Sequence, residues 1–223
     1  MCGRFILDTP SETLADLFQV EAAPAMKPRY NIAPTQPVAA VRRSLAGERE
    51  ILLMHWGLIP SWAKTPEMGN RLINARSETA AEKPSFREAF KRRRCLVPTD
   101  GFYEWQRVDR RKQPYYIRMA GGEPFALAGL WEHWEGPDGM VIESCAILTT
   151  EANALLRPIH NRMPVIIDPG DYQRWLEAEA HETGALAPLM QPYPEGRLSA
   201  IPVSPRVNNP KNDDPRCIEP LES

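Results

Sequence analysis

Four consecutive strand patterns occupy residues 95–134, which read CLVPTDGFYEWQRVDRRKQPYYIRMAGGEPFALAGLWEHW. Short runs rich in Val, Tyr, Phe and Trp alternate there with Gly, Pro and charged residues, a pattern typical of successive β-strands joined by turns. The predicted strands are Cys95–Pro98, Gly101–Gln106, Pro114–Met119 and Phe125–Trp134. The middle of the chain is therefore predicted to be β-structure.

The strand pattern continues on both sides of this stretch. Further strands are predicted at Gly3–Leu7, Val38–Arg42, Ile51–Trp56, Ile142–Thr149, Pro164–Ile167 and Leu198–Val203. Helices are predicted after Thr9, around Phe86–Phe90 and over Asp171–Ala180, and the basic run Lys91–Arg94 is interpreted as a solvated helix end. Many short strands with few helices predict a single α+β or barrel-like domain over residues 1–223.

Composition narrows the classes of protein that the chain can represent. The 223 residues carry a net charge of -2, so any binding to nucleic acid must use a local basic patch. Hydrophobic residues make up 43% of the chain, yet no uninterrupted apolar stretch is long enough to span a membrane. The N-terminus lacks the features of a secretory signal. We expect a cytoplasmic protein, which in a bacterium would be associated with the nucleoid. We also expect the protein to be a monomer.

The four cysteines, Cys2, Cys95, Cys145 and Cys217, are too far apart in sequence to form a CxxC pair. Neither a zinc site nor a disulfide framework is expected from this spacing. Gly-rich phosphate-binding fingerprints are also lacking in the sequence. We therefore expect a protein without a metal or other cofactor.

Cys2 is the most unusual position. The initiator Met is generally removed when the second residue is small, as Cys2 is. Removal of Met1 would leave an α-amine and a thiol on adjacent carbons. Such an aminothiol condenses with an aldehyde to an imine and closes to a thiazolidine, and the α-amine pKa of about 8 leaves part of it neutral at pH 7. The alternative interpretation is a small buried apolar residue in the first strand.

Two further residues have side chains suited to proton transfer. Strand alternation places Phe102 and Glu104 on one face, opposite Tyr103 and Trp105, so Glu104 is a carboxyl group among aromatic residues. His160 lies in a bend before an apolar strand and is a candidate acid or base. The alternatives are a solvated strand glutamate and a surface or hydrogen-bonding histidine.

The segment Asn74-Ala75-Arg76-Ser77-Glu78 follows an apolar pair. Asn74 is a candidate for orienting the reacting terminus, and Arg76 for a bidentate grip on phosphate. The alternative is a loop of capping residues at the start of the next helix. A mixture of cations and aromatic platforms would suit single-stranded DNA, and the candidates are Arg4, Arg76, Arg162, Trp62 and Trp105.

Together these segments resemble the SOS-response-associated peptidase (SRAP) family over nearly the whole chain. The matching motifs, in the order of the family, are Met1-Cys2-Gly3-Arg4-Phe5, Tyr30-Asn31-Ile32-Ala33-Pro34-Thr35, Trp56-Gly57-Leu58-Ile59-Pro60-Ser61-Trp62, Asn74-Ala75-Arg76-Ser77-Glu78-Thr79, Arg94-Cys95-Leu96-Val97-Pro98, Gly101-Phe102-Tyr103-Glu104-Trp105, His160-Asn161-Arg162-Met163-Pro164 and Val207-Asn208-Asn209.

The resemblance implies an α+β domain built around a curved, barrel-like, mostly antiparallel sheet with short flanking helices. It also implies shielding of abasic sites in single-stranded DNA by a thiazolidine crosslink through the mature terminal Cys2. Asn74, Glu104 and His160 would line its pocket. Arg4, Arg76 and Arg162 would contact phosphates, with Trp62 and Trp105 near the bases. Strand cleavage by β-elimination and reversal of the crosslink would be associated activities.

Two competing functions follow from the same residues. Cys2, His160 and either Glu104 or Asn74 have the side chains of a thiol peptidase, and one form of this alternative limits the activity to removal of Met1 from its own chain. A non-catalytic module for single-stranded DNA would keep the Arg and Trp surface and would not need Cys2.

Overall fold

Strands form most of the regular secondary structure. The computed structural model of the protein describes residues 2–44, 46–109 and 111–221. The strands are β1 (Phe5–Leu7), β2 (Arg29–Ile32), β3 (Pro37–Arg43), β4 (Arg49–Trp56), β5 (Asn74–Arg76), β6 (Arg94–Thr99), β7 (Gly101–Val108), β8 (Arg111–Met119), β9 (Phe125–Glu135), β10 (Val141–Glu151), β11 (Arg162–Pro164), β12 (Ile166–Ile167) and β13 (Leu198–Pro202). The α-helices are α1 (Ser11–Phe18), α2 (Arg87–Arg92) and α3 (Tyr172–Glu177).

Five strands close into a barrel in the order β10-β4-β3-β6-β9, because β9 also pairs with β10. The β10–β4 contact is parallel, with Cys145 opposite Trp56, and the other four pairings of the barrel are antiparallel. The first six residues of β9 are all buried, which indicates that both faces of this strand are covered. The barrel-like, mostly antiparallel fold expected from the sequence is confirmed.

A second, antiparallel sheet has the order β13-β8-β7-β1-β2. Its main-core face carries Phe5 and Phe102, and its other face carries Tyr103 in a smaller cluster with Tyr116 and Val207. This alternation is the one predicted for β7. The sheet brings Cys2 against the barrel, near Asn74, which pairs with Ile147 of β10.

The basic run 91–94 spans the end of α2 and the start of β6, and its residues differ in burial. Lys91 and Arg92 are exposed at the end of α2, as expected. Arg94 is buried as the first residue of β6, and its guanidinium donates to the carbonyls of Phe90 and Trp175, both at 2.7 Å. The same guanidinium donates to two more carbonyls. The interpretation as a solvated helix end is wrong for Arg94.

Replacing Arg94 by Met is expected to destabilise the protein by about 3 kcal/mol, because several buried carbonyls lose their donor and each unsatisfied group costs about 1–3 kcal/mol. Urea unfolding measures this change. The matched control is Arg92→Met on the exposed end of α2, which should change the free energy of unfolding by less than about 0.5 kcal/mol. Equal effects of the two substitutions would contradict the anchoring role of Arg94.

Three further features bear on the expectations from sequence. All four cysteines are free thiols with buried side chains. None of the helices in the described residues is long and apolar enough to cross a membrane. The same part of the chain contains no cluster of three or more His, Cys, Asp or Glu side chains that could hold a metal ion.

Candidate active site

Pairing between β1 and β7 places the N-terminus beside Glu104. Phe5 lies opposite Phe102 in this antiparallel pair, and the amide of Tyr103 donates to the carbonyl of Arg4 at 2.9 Å. Continuing this register brings the residues before Arg4 alongside Glu104 and the residue after it. Cys2 is fully buried there and packs in the main core. Met1 itself lies outside the described residues, so its removal stays a prediction.

Asn74 connects this terminus to the barrel. It is the first residue of β5, which runs parallel to β10 with Asn74 opposite Ile147. Its side-chain Nδ2 donates to the carbonyl oxygen of Cys2 at 2.7 Å. Its Oδ1 is buried and accepts no hydrogen bond from the described residues. Asn74 therefore holds the backbone of Cys2 and keeps one acceptor for another donor. The alternative of a helix-capping loop is wrong, since the segment is a strand followed by turns.

Glu104 is a buried carboxyl group. Its side chain is on the same strand face as Phe102, and only 2% of the residue is exposed. Burial raises the pKa of Glu104. The electrostatic attraction between the carboxylate and a positively charged His160 reduces this rise in part. The expectation of a desolvated carboxyl is confirmed, and the alternative of a solvated glutamate is wrong. Such a group can exchange protons closer to neutral pH than an exposed glutamate does.

The thiol of Cys2 is held in its neutral form. Burial, followed by the nearby negative charge of Glu104, raises its pKa far above the usual range. Its Sγ lies 4.0 Å from the carbonyl oxygen of Arg4. A neutral thiol beside an α-amine suits a reaction in which the amine attacks first and the thiol adds afterwards. It opposes chemistry that begins with a thiolate.

His160 is fixed by the residue that begins β11. The backbone amide of Arg162 donates to His160 Nδ1 at 3.0 Å, and the carbonyl oxygen of Arg162 lies 3.3 Å from the same nitrogen. The imidazole is partly buried and lies at the junction of two clefts. His160 is therefore a partly buried, hydrogen-bonded histidine, which agrees with the hydrogen-bonding alternative, and its role as an acid or base stays a prediction.

The two clefts that meet at His160 are rich in cations. The first has a volume of about 580 Å³ and is lined by Arg4, Glu104, Trp105, Arg107, Lys112, Ile159, His160 and Asn208. The second has a volume of about 650 Å³ and is lined by Arg76, Glu151, Ala152, Arg157, His160, Asn161 and Arg162. Each contains three Arg or Lys side chains and one Glu. The local charge is thus positive although the net charge of the chain is -2.

Arg4 and Trp105 form one wall of the first cleft. The Arg4 guanidinium carbon lies 5.8 Å from the centre of the Trp105 ring, and its Nη1 donates to Asn31 Oδ1 at 2.8 Å. The indole Nε1 of Trp105 donates to Asn208 Oδ1 at 2.7 Å. Both side chains are thereby fixed in advance of any ligand, which lowers the entropy cost of binding.

The other predicted DNA contacts differ in their surroundings. Arg76 is exposed at the second cleft and makes no side-chain hydrogen bond within the described residues. Arg162 instead forms a bidentate ion pair with Glu78, at 2.5 and 2.9 Å. Trp62 is 56% exposed in the loop after β4, and neither cleft includes it among its lining residues in the described chain. The structure therefore brings Arg4, Arg76, Trp105 and Arg162 to the clefts and leaves Trp62 outside them.

Several lining residues were not predicted from the sequence. Arg107 and Lys112 face each other across the pairing of β7 and β8, and Arg157 lies in the turns before His160. The signal for the first two was present, because a basic hairpin follows Glu104 directly. Asn208 gave no signal beyond the tail motif, since its position depends on a contact with Trp105 across about a hundred residues of sequence.

Comparison with known proteins gives a consistent result. The family model described as SOS response associated peptidase (SRAP) matches residues 1–210. The abasic site processing protein YoqW of Bacillus subtilis (strain 168) is 40% identical over 223 residues, covering 98% of this chain and 99% of that protein. The abasic site processing protein HMCES of Mus musculus is 31% identical over 272 residues, covering 100% of this chain and 76% of that protein.

Solved structures give the same picture of the fold. A crystal structure of a protein from Bacteroides thetaiotaomicron superposes with a TM-score of 0.88 at 25% identity, covering 99% of this chain and 100% of that one. A second, from Bordetella bronchiseptica, has a TM-score of 0.80 at 31% identity and covers 91% of this chain and 100% of that one.

Proposed function

Because the chain belongs to the SOS-response-associated peptidase (SRAP) family, we propose that it processes abasic sites in single-stranded DNA by bonding covalently through Cys2. The observation that carries the proposal is the 2.7 Å hydrogen bond from Asn74 to the Cys2 carbonyl. It holds the terminus beside the buried Glu104, and Glu104 lines the first cationic cleft together with His160. This arrangement supports a reacting terminus presented to a bound phosphodiester chain.

The bond is a thiazolidine formed from both groups of the mature N-terminal residue. The neutral α-amine of Cys2 attacks the aldehyde of the open sugar, and loss of one water gives an imine. The Cys2 thiol then adds to the imine carbon, and its proton ends on the former imine nitrogen. The overall change is the loss of one water, and a five-membered ring resists hydrolysis better than the open imine does.

Glu104 and Asn74 assist different steps of this reaction. In its acid form, Glu104 gives a proton to the ring oxygen of the sugar, while the proton of the anomeric hydroxyl passes to solvent, and the ring opens to the aldehyde. The resulting carboxylate accepts the thiol proton when the thiazolidine closes and relays it to nitrogen. Asn74 keeps the terminus in register throughout, because its amide already holds the carbonyl of Cys2. His160 lines the same cleft as Glu104 and is placed to donate or accept a further proton.

The clefts supply the affinity for DNA. The cations that contact the phosphate backbone lie on both sides of His160. On one side they are Arg4, Arg107 and Lys112, and on the other Arg76 and Arg157. The ring of Trp105 gives a surface on which a neighbouring base can stack. Binding of this type releases counterions, so affinity falls as salt concentration rises.

Intact mass under denaturing conditions tests the proposal directly. Protein confirmed to lack Met1 is incubated with single-stranded DNA that contains one abasic site. The expected product has the summed mass of protein and DNA less one water. The matched control is the same oligonucleotide with a tetrahydrofuran analogue, which binds alike but has no aldehyde and should give no adduct. If protein and abasic DNA separate completely, the covalent function is wrong.

A further inference from the structure

Glu78 and Arg162 form an ion pair that the proposed reaction does not use. Both terminal nitrogens of Arg162 contact the two carboxylate oxygens of Glu78, and Nη2 also donates to the carbonyl of Thr149 at 2.6 Å. Hydrogen bonding to Arg162 lowers the pKa of Glu78, so the pair is charged at neutral pH. The Arg162 side chain is only 13% exposed, so its position is fixed by its contacts and it does not move freely as a surface cation would.

The pair spans the end of β10. On one edge of that strand, Thr149 pairs with Arg76 of β5, and Glu78 follows two residues later. On the other edge, Glu151 pairs with Arg162 of β11. The ion pair therefore joins the strand that begins with Asn74 to the turn that carries His160. Two parts of the candidate site are tied together through it.

The same turn fixes the proton on His160. The 3.0 Å bond from the Arg162 amide uses Nδ1 as an acceptor, and this bond is shorter than the 3.3 Å separation from the Arg162 carbonyl oxygen. A neutral imidazole whose Nδ1 accepts must carry its proton on Nε2. His160 then presents an N–H group, a donor, on the side of the ring away from Arg162.

From this geometry we propose that Glu78 is a positioning residue for His160, acting through Arg162. Its ion pair holds the turn in the form that keeps His160 as the Nε2–H tautomer at the junction of the clefts. The role in catalysis rests on the proposed function, whereas the effect on the tautomer does not. Arg162 contributes by holding this turn, since both of its Nη atoms are engaged by Glu78.

Binding and chemistry should respond to Glu78 in opposite directions. Glu78 places a negative charge next to Arg76 and Arg162, where it opposes a phosphate backbone. Glu78→Gln should therefore bind single-stranded abasic DNA as tightly as the parent chain or more tightly. The rate of crosslinking from the bound state should fall about 10-fold, because a misplaced proton donor slows the covalent steps. A general loosening of the fold would weaken both.

The matched control is Glu82→Gln, which removes the same charge from an exposed turn four residues later. Its affinity and single-turnover rate should stay within two-fold of the parent chain. Glu78→Asp keeps the charge and should restore part of the rate lost in Glu78→Gln. A crosslinking rate for Glu78→Gln equal to that of Glu82→Gln would overturn the proposal.

The tautomer can be measured without DNA. Long-range ¹H–¹⁵N spectra distinguish the two neutral tautomers of a histidine from each other and from the doubly protonated ring. The His160 signals, assigned by their loss in His160→Gln, should show Nε2–H in the parent chain and a mixture in Glu78→Gln. An unchanged tautomer refutes the positioning role even if DNA is crosslinked. A changed tautomer with no crosslinking by the parent chain refutes only the proposed function.

Discussion

Glu104→Gln is expected to lower the rate of crosslink formation by about 10²–10⁴-fold, the usual contribution of a positioned proton-transfer group. The amide has nearly the shape of the buried carboxyl group, so the cleft and the Cys2 backbone should keep their geometry. The variant lacks the group that, in the proposed reaction, gives a proton to the sugar ring oxygen and later accepts the proton of the thiol. Single-turnover formation of the denaturation-stable product measures the effect.

The dependence of this effect on pH identifies the carboxyl group. The ratio of parent to Glu104→Gln rates cancels the titration of the α-amine, which is common to both chains. Burial raises the pKa of Glu104, so its acid form persists to higher pH than in an exposed glutamate. The ratio should therefore be largest below that raised pKa and decline as pH rises through it. A ratio near one at every pH would show that Glu104 does not transfer the proton.

Stability provides an independent check with a defined sign. A raised pKa in the folded state means that stability is fully present below the pKa of unfolded glutamate, about 4.3, and is lost as pH rises through the folded value. Glutamine lacks this loss. The Tm of Glu104→Gln should therefore match the parent at acid pH and exceed it at neutral pH. A variant that is slower yet more stable cannot owe its slow rate to misfolding.

The alternation of β7 could be predicted because it depends only on local sequence. Successive side chains of a strand point to opposite faces, and the segment from Phe102 to Trp105 contains three aromatic residues. The structure places Phe102 in the main core and Tyr103 in the second cluster, as predicted. The burial of Glu104 follows from the same period. Local periodicity was sufficient here because each face of β7 packs against a different apolar cluster.

The strands β2 and β5 were not predicted because distant groups define them. β2, with Tyr30 and Asn31, lies in a Pro-rich connector, and its backbone amides donate to the carboxylate of Asp213 near the C-terminus. β5, with Asn74, has three residues and runs parallel to β10. A parallel pair is not joined by a hairpin turn, so the sequence contains no turn signal for it. Neither has the apolar alternation that identifies a strand in sequence.

Closure of the barrel and assembly of the site also depend on long-range contacts. Trp56 pairs with Cys145 across the parallel β4–β10 contact, and Arg94 meets the carbonyl of Trp175. Asn74 reaches the carbonyl of Cys2 across 72 residues. The resemblance to a family named the candidate residues, but the distances between them, and the pairing of Arg162 with Glu78, required the structure.

The proposed thiazolidine requires both functional groups of the mature N-terminal residue, and these groups can be removed separately. Cys2→Ser keeps the α-amine, so an imine should still form, but the product should not survive denaturation without reduction. Addition of borohydride should then trap protein on DNA. Cys2→Ala should behave in the same way, because neither side chain closes the sulfur-containing ring.

Acetylation of the mature α-amine gives the complementary loss and separates crosslinking from peptide hydrolysis. The thiol remains, but no imine can form, so we expect no adduct with or without borohydride. A thiol peptidase needs only the thiol and a base, and would keep its activity on a peptide substrate after acetylation. The raised pKa of the buried Cys2 thiol opposes the thiolate on which such an enzyme depends. An acetylated chain that still crosslinked abasic DNA would show that the thiol, not the amine, makes the first bond.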